Sequence, residues 1–564
     1  MISVSGKKWQ EKKVDYKLVE KIHQDYNFSK ILAQLIVSRN FDKKEIHLID
    51  NDLNLLNDFH KNQDFIKSVE LVEFSIKNRE NICILGDYDV DGSVSTSLLI
   101  RFFKTINHPF FFYIPDREKD GYGASENLFK KLIKENPKLI IMVDCGSTSL
   151  KAIDYLNQKK IKSLVIDHHE ITKPYPKANV IINPKKDNGY IEYDYLCATA
   201  LTYFFLDMLI KKIRCKMNLR KYLINVLLAT VCDVMPLRKL NRFIAITAIK
   251  EFDINESYIF KKLYELSNKK NKINIDDLGY LIGPILNSGG RLGKSRFAAE
   301  VLSSDNHELI NQKSLNLFDL NIKRRKIEFA ILKDIDFKEI EKDNKKIIFY
   351  YSPNINEGLI GIIAARLKDH FNKPAIVITK SNDLLKGSAR SIYQFNIGKV
   401  IRNSLSKNLI LNGGGHNMAA GFTLKKENLS TFKKFILNNF LNNHHSLTST
   451  LFYDTEILSS SINNIFFDEI NKIGPFGNGN PLPTYLIKNL KIVKCSILKE
   501  KYISCILKSK INNSINSISF HSLDSRIGEH LLNYKKELSV IGQINQNFWN
   551  NKKTLQLIIK DLIL

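Results

Sequence analysis

Cysteine is sparse and unpatterned. Seven are scattered over 564 residues, at Cys83, Cys145, Cys197, Cys215, Cys232, Cys495 and Cys505, and no two form a CxxC pair. That spacing offers neither a disulfide framework nor a structural zinc site, and it predicts free thiols in a reducing compartment. The N-terminus, MISVSGKKWQEKK, lacks the apolar core of a signal peptide. The longest apolar stretch starts at Leu196, runs for about 15 residues and contains Asp207, so it reads as a buried helix and not a membrane span. These absences predict a soluble, cytoplasmic protein with no membrane partner. Internal repeats are also missing, which excludes a repeat array. Acidic residues are outnumbered, 59 Asp and Glu against 85 Lys and Arg, a formal net charge of +26. Such an excess predicts a polyanionic partner, of which nucleic acid is the usual one. The recurrence of Lys, Asn and Ile, as in NKKNKIN, is also what an AT-rich genome yields without selection for binding.

A chain of this length holds several domains. Residues 1–60 read as short helices with polar breaks near NFDKKE and NDLNLLND. From about residue 81 to 185, short apolar runs alternate with helical segments: NICIL, a helix near 93–104, KLIIMVD, a helix near 149–159, SLVID and NVIIN. That alternation predicts a doubly wound parallel sheet. Residues 196–250 read as helical, and 305–336 as a long charged helix. A second α/β pattern follows in KIIFYYS, GLIGIIAARLKDHF and PAIVIT. After about 446, five strand-like runs predict a small antiparallel barrel.

Three consecutive strand ends carry acid. ICILGDYDVDG ends in Asp87, Asp89 and Asp91, LIIMVDCGS in Asp144, and SLVIDHH in Asp167, His168 and His169. In an open parallel sheet, ligands bind beyond the carboxyl ends of the strands, so these groups converge on one crevice. Such a cluster of negative charge is unfavourable without cations. Carboxylates with a few imidazoles suit Mn²⁺ or Mg²⁺ better than structural zinc. With this many ligands two ions about 4 Å apart are expected, an arrangement used for phosphoester cleavage. Asp233, in LLATVCDVMPL, follows an apolar helix. Alone it would be a cap or turn residue; beside three acidic strand ends it reads as a further ligand.

DYDVDG, VDCGS, DHHE and TVCDVMPL resemble, in order and spacing, the signature segments of the DHH phosphoesterase superfamily, and within it the RecJ family of single-strand-specific DNA exonucleases. NSGGRLG, LNIKRRKIE, EGLIGIIAARL, GSARS, GGGHNMAAGFT and GPFGNGNPLP extend the resemblance over residues 50 to 564. It implies a DHH catalytic domain over 61–245 after an N-terminal helical segment, 1–60. A helical region with a long connecting helix would follow over 246–336. A second α/β domain, DHHA1, would cover 337–445, and an OB-like nucleic-acid-binding barrel 446–564. It implies Asp87, Asp89, Asp144, His168 and Asp233 as metal ligands, with Asp144 bridging. His169 would lie near the scissile phosphate, and Asp91 and Asp167 would orient their neighbours. The implied reaction is hydrolysis of single-stranded DNA from its 5′ end to 5′-mononucleotides in repair and recombination. The implied partners are a single-strand-binding protein and a RecQ-type helicase, around a monomeric enzyme.

In the second α/β region, the glycines Gly413, Gly414 and Gly415 let backbone N–H groups approach a phosphate, and His416 follows directly. Ser388 and Arg390, in GSARS, suit a phosphate oxygen, and Arg291, in SGGRLG, is a further candidate. Sequences of the resembled family usually carry Trp-His before the segment matching GLIGI; here Ile355 and Asn356 stand in those places. Two rival readings are a DHH phosphodiesterase for short oligonucleotides or cyclic dinucleotides, and a non-catalytic DNA-binding relative. The first would be shorter, and the second would have lost metal ligands.

Overall fold

The strands β1 (Ile82–Gly86), β3 (Leu139–Val143) and β4 (Lys162–Ile166) are buried almost without interruption. With β2 (Phe110–Tyr113) and β5 (Val180–Ile182) they form an all-parallel sheet in the order β2-β1-β3-β4-β5. Buried runs of Ile, Leu and Val are what a sheet covered on both faces requires. Alternate residues face opposite ways. Cys83, Leu85, Ile140, Met142, Val165 and Ile181 pack with Leu128, Phe129, Ile153 and Leu156 on one side. Ile84, Ile141 and Leu164, fully buried, face the other, where α1 (Val90–Thr105) and α3 (Ala198–Ile213) lie against the sheet. Each such aliphatic side chain contributes roughly 1.5–3 kcal/mol on burial. The chain leaves β1 for β2 on one side and continues from β3 to β4 on the other. The order therefore reverses between β1 and β3, and that is where Asp87 and Asp144 emerge.

The structure, a computed structural model, describes all residues except 50–58, 117–119, 121–122, 187–190, 271, 344, 393–394, 444–449, 511–512, 521, 524 and 550–551. The break expected at NDLNLLND and the domain boundary expected at 445 fall outside the described residues. The chain forms two compact units: one of residues 1–55, 236–246 and 446–564, the other of 56–235 and 247–445.

The larger unit holds the parallel sheet together with α2 (Leu150–Gln158), α4 (Leu223–Cys232), α5 (Gly283–Arg291) and the long helix α6 (His307–Asp334). Its second sheet comprises β6 (Ile348–Tyr351), β7 (Ala375–Ser381), β8 (Leu384–Arg390), β9 (Asn412–His416) and β10 (Ala419–Leu424), in the order β9-β10-β8-β7-β6. The pair β6–β7 is parallel and the others are antiparallel. The helix α7 (Ile360–Phe371) buries Ile360, Ile363, Ala364 and Leu367 in a core with Val377 of β7. Among the described residues, no helix is long and apolar enough to cross a membrane.

In the smaller unit, β11 (Thr484–Leu498), β12 (Tyr502–Ser509), β13 (Ser514–Phe520), β14 (Leu538–Trp549) and β15 (Lys552–Ile563) coincide with the five expected strands. Pairing of β11 with both β12 and β14 closes the barrel. Closure uses one parallel pairing, β13 with β15, so the barrel is antiparallel in all but that step. The expectation that every cysteine is a free thiol is corrected here: Cys495 and Cys505 are directly opposed across β11 and β12, with Cα atoms 4.3 Å apart, and form a disulfide. Strand register brings them together, and their sequence spacing carries no sign of it.

The N-terminal segment is not wholly helical. Lys8–Glu11 pairs as a parallel strand with Thr450–Tyr453 before the helices begin. Trp9 is pinned by its indole N–H, which donates to Asp561 Oδ2 at 2.8 Å, and Ser3 Oγ donates to the same oxygen at 2.7 Å. Both donors and the carboxylate are buried. Asp561→Ala strands them without that acceptor and is expected to lower stability by about 2–3 kcal/mol. Both tryptophans, Trp9 and Trp549, belong to this unit, so urea titration followed by their fluorescence measures the shift. An unchanged midpoint would remove Asp561 from the unit's stabilising contacts.

Candidate metal centre and active site

Asp87 follows β1 directly, and two residues later Asp89 caps α1 by accepting the Gly92 N–H at 3.1 Å. The turn between them closes so tightly that a Cβ on Gly92 would lie 2.5 Å from the Asp87 carbonyl oxygen and 2.6 Å from its nitrogen. Glycine at 92 is thus what lets the strand end and the helix start share one carboxylate-bearing turn.

Asp144 ends β3 with φ of 60°, in the left-handed region that disfavours most L-residues. Its backbone N–H donates to the Ile166 carbonyl at 3.0 Å, which holds the strained turn against the end of β4. Strain of this kind persists where surrounding structure enforces it. Asp233 is the C-terminal cap of α4, with its side chain 28% exposed. His168, buried after β4, stands among them: its Nε2 is 3.4 Å from Asp144 Oδ1, 3.3 Å from Asp233 Oδ2 and 3.7 Å from Asp91 Oδ2.

Three groups of ligand atoms gather within 4.8 Å: Asp87 with Asp89 and Asp144; Asp144 with His168 and His169; and Asp91 with His168 and Asp233. All five residues expected to hold metal are therefore brought together from four separate segments. Both carboxylate oxygens of Asp144 and both ring nitrogens of His168 are buried and have no hydrogen-bond partner. Burial, followed by repulsion from Asp91, Asp89, Asp87 and Asp233, pushes the Asp144 carboxyl well above the usual range. Burial and the charges of Asp91 and Asp89 do the same to Asp233. Burial, then His169, depresses His168 well below an ordinary imidazole. Orphaned oxygens and neutral imidazole nitrogens crowded at this distance fit hard divalent cations, which would replace the missing hydrogen bonds and cancel the repulsion.

Asp91 and Asp167 are engaged with backbone donors. Asp91 accepts the Ala198 and Thr199 N–H groups, each at 2.8 Å, and so caps α3, whose own cap residue Cys197 makes no side-chain capping bond. Asp167 accepts N–H groups from Ser147 and His168, at 3.0 and 2.7 Å, and meets His169 Nδ1 at 2.7 Å. Burial alone would lower the His169 pKa, but the charge and hydrogen bond of Asp167 outweigh it and push it up to about 10. Asp91 still faces His168, so its carboxylate serves the helix cap and borders the cluster together.

Sequence reading passed over Asn183. It is fully buried at the end of β5 and donates to the Ser147 hydroxyl at 2.8 Å and the His169 carbonyl at 2.9 Å. The available signal was positional: NVIIN is a further strand end following the acidic three.

In the second sheet, Gly413–His416 form part of the edge strand β9, paired with β10 on one side. Of the three glycines there, only Gly414 leaves open space where a Cβ would be; Gly415, at φ 152°, lies 2.3 Å by that measure from the Ala419 carbonyl oxygen. The His416 ring stacks on His169 with centroids 6.0 Å apart. Burial, then Lys185 and His169, lower its pKa to about 4. Ser388 and Arg390 sit on β8 and touch each other, Arg390 Nη1 donating to Ser388 Oγ at 3.1 Å. Both pack against Gly361 at the start of α7. Arg291 donates one guanidinium N–H to the Gly358 carbonyl at 2.9 Å, tying α5 to the loop before α7. Ile355 is buried in the second domain's core, and Asn356 Oδ1 accepts the Gly358 N–H at 2.8 Å. The Trp-His positions of the resembled family are thus filled here by a core residue and a loop-bracing amide.

Residues 81–232 match the DHH family, N-terminal domain; 344–442 match the DHHA1 domain; and 453–561 match the RecJ OB domain. The chain is 27% identical to the single-stranded-DNA-specific exonuclease RecJ of Bacillus subtilis (strain 168), over 99% of this chain and 71% of that protein. It is 26% identical to the Haemophilus influenzae protein of the same name, over 87% and 89%. Its fold matches the crystal structure of RecJ in complex with Mn²⁺ from Thermus thermophilus with a TM-score of 0.81 and 20% identity, covering 99% of this chain and 79% of that one.

The Gly92 turn yields a direct test of the site. Gly92→Ala must push α1 away from Asp87, and divalent-cation affinity is expected to fall about 10–100-fold, the usual effect of disturbing groups that orient ligands. Mn²⁺ titration followed by electron paramagnetic resonance reads it. Wild-type affinity in the variant would mean that the turn does not position the site.

Proposed function

We infer from the RecJ family, to which this chain belongs, that the protein is a metal-dependent exonuclease acting on single-stranded DNA, with Mn²⁺ or Mg²⁺ as cofactor. The observation that carries this reading is the Asp144 carboxylate. Both of its oxygens are buried without hydrogen bonds, and it belongs to two of the three groups of metal-capable atoms. Divalent cations in such a site lower the pKa of a bound water and offset charge on a phosphate.

The positions of the residues support the following roles. Asp87, Asp89 and Asp144 would hold one ion, and His168 and Asp233, with Asp144 beside them, would hold another. Asp91 closes the second group while capping α3. Asp167 fixes the ring of His169, leaving the other ring nitrogen for the substrate phosphate. Ser388, Arg390, the open backbone at Gly414 and the adjoining Gly415 and His416 hold phosphates that are not being cut, with Arg291 bracing the loop beside them. The OB domain supplies a basic groove for the strand. Degradation proceeds from the 5′ end to 5′-mononucleotides, in the cytoplasm, by a monomer that works with a single-strand-binding protein and a RecQ-type helicase in repair and recombination. The RecJ OB match weighs against a phosphodiesterase for dinucleotides, and the intact cluster weighs against a non-catalytic DNA-binding relative.

Incubation of 5′- and 3′-labelled single strands and blunt duplex with Mn²⁺ tests the reading. Release of the 5′ label first, with the duplex resistant, is expected. Asp144→Asn should abolish release while keeping single-strand affinity within about tenfold, since basic surfaces supply most of that affinity. Turnover near wild type in that variant would remove Asp144 from the chemistry.

Arg390→Ala should lose one bidentate phosphate contact. Single-strand binding is expected to weaken by about 1–3 kcal/mol, and the slope of log affinity against log salt to flatten by about 0.7. Metal affinity should not change. Wild-type affinity and salt slope with no turnover would place Arg390 at the reacting phosphate instead.

A further inference from the structure

The loop after β5 carries two consecutive lysines with different surroundings. Lys186 Nζ donates to Asp64 at 2.7 Å and to the Ile181 carbonyl at 3.1 Å, a structural ion pair. Lys185 is directed elsewhere. Its backbone N–H donates to Asn183 Oδ1 at 2.9 Å, and Asn183 is bound to the Ser147 hydroxyl and the His169 carbonyl. The Lys185 backbone is thereby fastened to the segments that carry Asp144 and His168. Its side chain is 19% exposed, and its ammonium lies 3.3 Å from Glu170 Oε1. The same oxygen is 3.9 Å from His416 Nδ1, and the His416 ring stacks on His169. The Lys185 charge also reaches the metal cluster, where it acts on His168 and Asp233.

A half-exposed carboxylate oxygen therefore sits between an ammonium and an imidazole, next to the imidazole that faces the cluster. A lysine on a loop is ordinarily a solvated surface charge. This one is four-fifths buried, and a buried amide fixes its backbone. The Asp carboxylates nearby accept backbone donors or would be taken up by metal. Among the described residues, the Glu170 side chain is the counter-ion within 4 Å of the ammonium. A phosphate oxygen could replace that carboxylate without changing the local charge.

We propose that Lys185 contacts the scissile phosphate, and that Glu170 is its counter-ion only while DNA is absent. The proposal rests on the exonuclease reading and adds to it a phosphate-contacting residue. Negative charge grows on the phosphoryl oxygens as the nucleophile adds, and a preplaced ammonium stabilises it without reorganisation.

The test uses the full chain with Mn²⁺ and a 5′-labelled single strand, under single-turnover conditions at saturating DNA. Lys185→Ala is expected to slow cleavage about 100-fold or more, the usual cost of removing one donor to a developing oxyanion. Lys185→Arg should restore at least tenfold of that loss. Mn²⁺ affinity should be unchanged in both, and the salt slope of binding should flatten by about 0.7 in the alanine variant. Glu170→Gln should cleave at the wild-type rate and bind DNA at least as tightly. A Lys185→Ala rate within threefold of wild type would overturn the proposal. So would a parallel loss of Mn²⁺ affinity, or a Glu170→Gln defect as deep as that of Lys185→Ala, since either would reduce Lys185 to a structural ion pair. A wild-type protein with no Mn²⁺-dependent turnover would overturn the exonuclease reading itself, and is a different result from an active wild type with an equally active Lys185→Ala.

Discussion

Carboxylates buried side by side repel one another, and the catalytic half of this protein is organised around that repulsion. Asp87, Asp89, Asp91, Asp144 and Asp233 converge with His168 in overlapping groups, the ligand atoms of each lying within 4.8 Å of one another. Removal from water and mutual charge push the Asp144 and Asp233 carboxyls far towards the neutral form. A fold that merely needed stability would replace such a cluster with apolar side chains. Divalent cations reverse the sign of the problem: with them the same carboxylates become attractive partners, and the cost of burial is offset by coordination.

The fold supplies the rigidity this arrangement needs. The parallel sheet places the ends of β1, β3 and β4 next to one another, and the reversal of strand order between β1 and β3 opens the crevice. Donors are distributed unequally among the acids. Asp167 accepts backbone N–H groups and holds His169, and its carboxyl stays well below the usual range despite burial, with the charge of His169 first among the causes that lower it. Asp91 accepts the first N–H groups of α3, which only partly offset burial and the charge of Asp89. Asp144 receives no such donor. That contrast separates carboxylates that shape the site from Asp144, which is left open for a ligand.

The second sheet reaches the same site through a small number of contacts. His416 stacks on His169, and the Gly358 carbonyl before α7 accepts from Arg291 of α5; α5 in turn packs against the turn after β1, where Gly290 lies so close to the Tyr88 carbonyl that a side chain could not be accommodated. A strand of DNA lying between metal ligands on one sheet and phosphate donors on the other would be gripped on both sides.

Much of this was legible in the sequence, because strand ends, apolar runs and glycine spacing are local. The four acidic segments, the long helix at His307–Asp334 and the five barrel strands could be read from chain order alone. What depends on register and on long-range packing could not. Nothing in the sequence pairs Asp91 with the first turn of α3, opposes Cys495 to Cys505, or runs Lys8–Glu11 alongside Thr450–Tyr453. Asn183 and Lys185 look like ordinary loop residues until the fifth strand is placed beside the fourth, which puts that loop against His169. The sequence by itself determined which side chains carry the chemistry, since residue type and strand position are written in it. Tertiary structure alone decided which of those charges are satisfied by the protein and which remain for a ligand, because that depends on donors contributed by segments far apart in the chain.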